Sequence, residues 1–180
     1  MTNNDLMTAV RTVLLRGLAE YGYGDWAVQQ NYQPSQVGTN DKPTVYIHHL
    51  NDVPVGCALT SEEWDETEGV FIQTERQVMT TRVQVSATVM IMERDLENPL
   101  SPVDILREAR FALQSRAAIA TLLEMGLAVM RVSDLPSYDF LNDSPGYAKR
   151  PTFDIIFQHS QSWQSRFAGV NTVRPRHVGV

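Results

Sequence analysis

The amino-acid sequence predicts a single α+β domain, in which two main helices pack on a mostly antiparallel sheet that contains a long β-hairpin. Two stretches alternate between apolar and polar residues, which is typical of strands with one buried face. Two others repeat apolar residues at helical spacing. With 180 residues and 43% hydrophobic composition, the chain is long enough for one domain with its own core. The predicted order of elements is α-β-β-β-α-β-β.

The two predicted helices have clear boundaries. Residues 5–20 carry apolar side chains along one stripe, with Asp5 as the expected cap and a glycine-containing end. Residues 101–126 begin with Ser101 as the cap, followed by a proline at a position where its missing N–H costs nothing. A break near Ser115, which would divide the second helix in two, fits the same pattern.

The predicted hairpin follows from two stretches in which apolar and polar residues alternate. Residues 69–79 and 80–92 both alternate, and we interpret them as antiparallel partners, although no Asn-Gly turn marks the reversal between them. A short strand is expected before them at residues 44–50. Residues 51–68, between that strand and the hairpin, are interpreted as a long exposed connection.

The C-terminal part of the chain carries two further predicted strands, after which apolar and polar residues no longer alternate regularly. The strands are expected at residues 127–133 and 152–159. We interpret the residues after Ser160 as an extended arm. The predicted organisation is therefore one α+β domain over residues 1–160 and an extended C-terminal arm over residues 161–180.

The net charge of −6 is unevenly distributed. Residues 51–75 contain seven acids and no Lys or Arg, whereas residues 161–180 contain three arginines and no acid. An acidic body argues against wrapping nucleic acid, because neutralising phosphates needs clustered Lys and Arg. Separated acidic and basic regions suit head-to-tail contact between copies. A solvated loop and a frayed tail explain each region equally well when it is taken alone.

The sequence also indicates the cellular compartment in which the protein is made. The single cysteine, Cys57, excludes an internal disulfide framework and suits a reducing compartment. No stretch approaches the ~20 apolar residues of a membrane helix, and the polar first residues predict no secretory signal. We expect the protein to be made and used in a cytosol.

Candidate catalytic and metal-binding residues lack the settings that their chemistry needs. Cys57 has no local signature of a nucleophile, so a small buried thiol is the favoured interpretation. His48 and His49 are neighbours on a predicted strand and point to opposite faces, so they cannot readily share an ion. The acids of residues 62–68 lack the pattern of a calcium loop. No phosphate-binding loop or nucleophile elbow is present, so we expect no enzyme, metal or cofactor.

Aromatic residues indicate assembly. Trp64, Trp163 and Phe167 lie in segments that we interpret as exposed, and exposed aromatics beside arginine are typical of interface anchors. The alternative is that the arm folds back and packs them on the protein's own sheet. For Trp26 and Tyr32, in a loop rich in Gln and Pro, packing within the domain is the favoured interpretation.

The sequence resembles bacteriophage neck and tail terminator proteins over most of its length, from Asp5 to about Ser160. The residues that carry the resemblance are Asn31-Tyr32-Gln33-Pro34, Pro43-Thr44-Val45-Tyr46, the strand 81–91, the helix 103–113, the glycine and strand within 123–132, and Arg150-Pro151-Thr152-Phe153-Asp154-Ile155. In that family an Asn-x-Gln element and a proline lead into the first strand. Residues 51–68 and the arm lie outside the matching pattern.

The resemblance implies a structural virion protein that forms a ring, usually of six subunits, which caps the tail tube and joins it to the head–neck connector. The implied partners are other copies of the chain, the tail tube protein, the sheath protein and a head-completion protein, with DNA only as cargo in the lumen and no membrane. The implied location is the virion, after assembly in the host cytoplasm. The candidate contact residues are Glu62, Glu63, Trp64, Asp65, Glu66, Arg76, Arg82, Gln84, Trp163, Arg166, Phe167, Arg174 and Arg176.

Three alternatives stay open on the sequence alone. The chain could be another neck or minor tail component, such as a head-completion or stopper protein. The acids of residues 62–68 could serve a small metal-dependent hydrolase or nuclease accessory. The arm could be a docking segment that orders only on assembly.

Overall fold

A computed structural model describes residues 1–30, 42–88, 101–135 and 151–168. The elements in chain order are α1 (Asn3–Glu20), β1 (Ala27–Gln30), β2 (Thr44–Asp65), β3 (Val70–Thr88), α2 (Pro102–Gln114), α3 (Arg116–Glu124), β4 (Ala128–Val132) and β5 (Thr152–Ala168). The predicted α+β class and element order are confirmed. No helix in the described part of the chain is long and apolar enough to cross a membrane.

Capping side chains determine where the helices begin. Thr2 caps α1 and accepts a hydrogen bond from the Asp5 backbone N–H, while the Asp5 carboxylate accepts one from the Thr2 N–H. Asp5 is therefore the third helical residue and not the cap that was predicted. Ser101 caps α2 as predicted, and Ser115 caps α3, so the break expected near Ser115 divides the second helix in two.

Within the described residues the sheet has five strands in the order β1-β2-β3-β5-β4. Only the β1–β2 pair is parallel, and the other three pairs are antiparallel. At the base of the sheet, Val83, Val85, Phe153 and Ile155 point toward the helices and are almost fully buried. Leu14, Ile105, Leu106 and Leu122 are the matching apolar residues of the helices. One core thus holds α1, α2 and α3 against one face of the sheet base.

The long hairpin is present, but its two strands are β2 and β3. Residues 69–79 and 80–92 were predicted to pair with each other, whereas residues 70–88 form one continuous strand. Its partner begins at Thr44 and runs to Asp65, so the exposed connection predicted for residues 51–68 is wrong. The turn lies at residues 66–69, where Gly69 adopts a positive φ of 63°. Residues 89–92 of the predicted second strand lie outside the described residues.

The last strand also extends further than predicted. Residues 161–168, which were interpreted as the start of an arm, continue β5 and pair with β3 up to Ala168 opposite Val70. Residues 169–180 lie outside the described residues, so the division of the chain into residues 1–160 and 161–180 remains a prediction. A four-residue strand, β1, lies in the segment that was interpreted as a loop after Trp26.

Candidate assembly surface

Three strands extend past the helices as a blade, formed by residues 51–65 of β2, 70–80 of β3 and 160–168 of β5. At the base the sheet is covered by helices, but on the blade most side chains are exposed or half-buried. A sheet that is open on both faces lacks the core that normally holds strands in place. The blade therefore leaves both faces of its three strands available to partners.

The register assigns every blade residue to one of two faces, because side chains alternate along a strand and directly opposite residues share a face. The helix-side face continues from the core through Thr81, Gln77 and Phe71 of β3. The open face, which carries no helix at the base, contains Arg76 and Arg82.

Four aromatic side chains lie on the helix-side face near the tip of the blade. Trp64 and Phe71 are directly opposite each other, with ring centroids 4.8 Å apart and planes tilted by 58°. Phe167 is opposite Phe71 on the other side, and Trp163 is opposite Glu75, four residues further from the tip. Their exposed fractions are 42% for Trp64, 43% for Phe71, 47% for Trp163 and 51% for Phe167. Large aromatic side chains this exposed and this close together are typical of a protein contact surface.

The tip turn is closed by local polar contacts. The Asp65 carboxylate accepts hydrogen bonds from the backbone N–H groups of Thr67 and Glu68. Arg166 then donates from its guanidinium to the Glu68 carboxylate at 2.6 Å, which ties β5 to the turn. Both side chains of this ion pair are largely exposed, so its contribution to stability is small.

A bulge interrupts β2 halfway along the blade. Val55 is opposite Val78 and Leu59 is opposite Arg76, so β2 uses extra residues here, including Gly56 with a positive φ of 69°. The buried side chain of Gln77 fixes the bulge by donating from its amide nitrogen to the backbone oxygens of Val55 at 2.9 Å and Gly56 at 3.2 Å. Cys57 lies in this bulge and is exposed, so the buried thiol predicted from the sequence is wrong.

A polar cluster marks the junction between the core and the blade. The Thr81 hydroxyl donates to the Asp52 carboxylate at 2.5 Å, and its oxygen lies 3.0 Å from Nε2 of His159. His49 contacts the same carboxylate at 3.0 Å. Because Thr81 has only one hydroxyl proton and donates it to Asp52, His159 donates through Nε2. The Nδ1 atom of His159 is then an acceptor, buried and without a hydrogen-bond partner among the described residues.

The environment of this cluster shifts two pKa values downward. Burial lowers the pKa of His159, and the nearby N-terminal ammonium lowers it too, while the Ser160 backbone and Asp52 oppose the shift. Burial raises the pKa of Asp52, but the hydrogen bonds from Thr81 and His49 lower it by more, so the net shift is downward. Both shifts favour a neutral His159 beside an ionised Asp52.

The structure brings together most of the contact residues predicted from the sequence. Glu62, Glu63, Trp64, Asp65 and Glu66 lie at the end of β2 and in the turn, and Trp163, Arg166 and Phe167 lie on the adjacent part of β5. Arg76 lies between them on β3 and donates to the Ser160 hydroxyl at 3.2 Å.

Two predicted contact residues lie elsewhere in the described part of the chain. Arg82 and Gln84 belong to the sheet base, on the open face, where Arg82 pairs with Asp154. Arg174 and Arg176 lie outside the described residues, as does Tyr32. Trp26 is buried and stacks on Tyr23 at 4.2 Å, as the interpretation of packing within the domain predicted.

Sequence reasoning missed Phe71 and Gln77. Phe71 completes the aromatic group at the tip, and Gln77 holds the bulge. A pairing of residues 59–65 with 70–76 would have placed Phe71 opposite Trp64, but the period of two alone does not identify the partner of a strand. His48 and His49 are opposite Gln84 and Val83, on different faces, as predicted. Among the described residues, no group of three or more His, Cys, Asp and Glu is placed to hold a metal.

Comparison with known proteins gives a family and a shared fold. The family model described as E217 gateway protein gp29 matches residues 5–168. Fifteen chains of solved structures are similar to the protein. One is the sheath/tube terminator of PVC, an extracellular contractile injection system in the extended state, with a TM-score of 0.54 and 12% identity. The alignment covers 100% of this chain and 64% of that chain, so the protein spans less than two thirds of that relative. No curated protein sequence matches.

Proposed function

The chain belongs to the E217 gateway protein gp29 family, and from this membership we propose that it is a structural tail terminator of a bacteriophage, located in the neck of the virion. The resemblance to neck and tail terminator proteins inferred from the sequence is thereby confirmed. The proposed role is structural and not enzymatic. The protein forms a homo-oligomeric ring that caps the tail tube and joins it to the head-completion protein, and DNA passes through the ring.

The observation that carries this proposal is the blade. Its aromatic group on the helix-side face is too exposed to serve the protein's own core, since it lies past the end of the helices. Burying such side chains at an interface is a main source of binding free energy. We propose that Trp64, Phe71 and Phe167 become buried when the ring contacts the tail tube.

Capping of tail tubes tests this function. Tubes assembled from the tail tube protein of the same phage are mixed with the purified protein, and electron micrographs are scored for rings at tube ends. The double variant Trp64→Ser, Phe71→Ser should remove the caps, because each side chain at a hot spot contributes about 2 kcal/mol, or roughly 30-fold in affinity. Leu123→Ser on α3 is the control, because it removes an apolar side chain of similar exposure far from the tip.

Two outcomes would count against the function. A wild-type protein that remains monomeric and never binds tube ends would contradict the terminator role. Normal capping by the double variant would leave the terminator role intact and exclude the aromatic tip as the contact.

A further inference from the structure

The blade has two strand edges that pair with no other described strand. β1 pairs with β2 only along Thr44–Ile47, and β4 pairs with β5 only up to Gln158. Past these points β2 forms one edge of the blade and β5 the other. Each edge presents backbone N–H and C=O groups that can receive another strand.

The two edges have free segments of the same length at the same height along the blade. Residues 59–65 of β2 and residues 162–168 of β5 both lie opposite residues 70–76 of β3, without a register shift in either pairing. Neither segment contains a proline, a bulge or a lysine, which are among the features with which proteins block a free edge. Pro54 and the bulge at Gly56 lie closer to the base of the blade.

Charge distinguishes the two edges. Residues 59–65 contain Glu62, Glu63 and Asp65 and no base, whereas residues 162–168 contain Arg166 and no acid. Pairing two β2 edges would place acids against acids, which is unfavourable between adjacent strands. Pairing a β2 edge with a β5 edge places acids beside the arginine. The favoured occupant of each edge is therefore the opposite edge of a second copy.

Strand direction gives the geometry of such a pair. β2 and β5 are both antiparallel to β3, so they run in the same direction. In a cyclic ring all blades point the same way, and unlike patches meet. We propose that residues 59–65 of one copy pair in parallel with residues 162–168 of the next, which joins the blades into one continuous sheet around the ring. This inference rests on the ring of the proposed function.

The pairing also determines which face lines the lumen. The helices cover the helix-side face of the sheet base, so a closed sheet leaves them outside and turns the open face inward. Six copies would contribute about 18 strands, a number that encloses a water-filled channel and not a packed interior. The inward residues of the blade include the polar Thr74, Arg76, Ser162 and Gln164, and the same face also carries the apolar Leu59 and Ile72. The aromatic tip remains on the outside, accessible to a partner.

Disulfide cross-linking tests the pairing on the full chain in a Cys57→Ser background, which removes the only natural cysteine. Thr60→Cys or Glu62→Cys on β2 is combined with Trp163→Cys or Ser165→Cys on β5, all on the helix-side face, so that several registers are sampled. At least one double variant should form a ladder of cross-linked multimers, with about tenfold more product than either single variant, because directly paired cysteines meet the distance limits of a disulfide. Glu62→Cys with Gln164→Cys, on opposite faces, is the mismatched control.

The possible outcomes distinguish a failure of the edge pairing from a failure of the proposed function. If light scattering shows ring-sized particles but the double variants cross-link no more than the single variants, the edge pairing alone is overturned. Dimers from a single variant would indicate pairing of like edges and would also overturn it. A wild-type protein that stays monomeric, even with tail tubes present, would overturn both the ring and the pairing.

Discussion

Gln77 offers the sharpest test of how the blade is held in shape. Its side chain is buried, and its amide nitrogen lies within hydrogen-bond distance of three backbone oxygens, those of Val55, Gly56 and Val78. The nitrogen carries only two protons, so two full hydrogen bonds are available at a time. Gln77→Ala removes both and leaves the carbonyls of the bulge without their donor.

The expected cost follows from that count. A hydrogen bond contributes about 0.5–1.5 kcal/mol net, so two predict a loss of about 1–3 kcal/mol in the free energy of unfolding. Gln77→Glu should cost more than Gln77→Ala, because it replaces the donor with a negative charge that faces backbone oxygens. Urea unfolding at a single fixed protein concentration measures both losses, since assembly makes apparent stability concentration-dependent.

Gln161→Ala is the matched control. Gln161 is opposite Gln77 on the same face, and it is the same residue type, but it is not among the donors to the bulge. The control should lose less than about 0.5 kcal/mol, as is usual for surface substitutions. Equal losses in Gln77→Ala and Gln161→Ala would refute the reasoning, because the bulge would then not depend on the Gln77 amide.

Further predictions concern the junction, the helix contact and the bulge. Because burial lowers the pKa of His159, the unfolded state binds its proton more readily, so the free energy of unfolding should fall as pH drops below about 6.5. Urea unfolding at pH 7 and pH 5.5 measures this loss, and His159→Gln should make it smaller. An equal loss of unfolding free energy in the wild type and in His159→Gln would contradict the role of His159. Gly17→Ala should destabilise the protein by about 1–3 kcal/mol despite its better helix propensity, since a Cβ there would lie 2.9 Å from the Cβ of Ala112. Ala112→Gly should restore part of that loss in thermal unfolding, and failure to do so would exclude this contact as the cause. Cys57 should react with a thiol reagent in the native protein as fast as in urea, and protection in the native state would contradict its exposure.

The sequence predicted the helices well because their signals are local. Ser101 and Ser115 mark helix starts through hydrogen bonds to residues three positions later, so the pattern is contained in a short window. The alternating residues of β3 were likewise recognised as strand. The partner of β3 was not, because a period of two assigns faces but does not say which other strand completes the pair.

The blade was missed for a different physical reason. A strand is usually recognised by the contrast between a buried face and an exposed face, and residues 51–65 and 161–168 lie on a part of the sheet that is open on both faces. Without that contrast, their mixed polar composition looks like loop and arm. The aromatic residues Trp64, Trp163 and Phe167 were nevertheless identified as contact candidates, because their size and position outside the predicted core did not depend on the strand assignment.

The absence of a buried face also affects the stability of the blade. Ordering a backbone residue costs about 1–2 kcal/mol, and a sheet open on both faces recovers little of that cost from apolar burial. The blade is ordered mainly by its own strand pairing and by Gln77 at the bulge. Pairing both edges with neighbouring copies would supply the backbone partners that the isolated chain lacks, and covering the aromatic tip would supply the missing apolar burial. On this argument the blade gains most of its stability only on assembly, so hydrogen exchange at residues 59–65 should slow more on ring formation than exchange in the core strands.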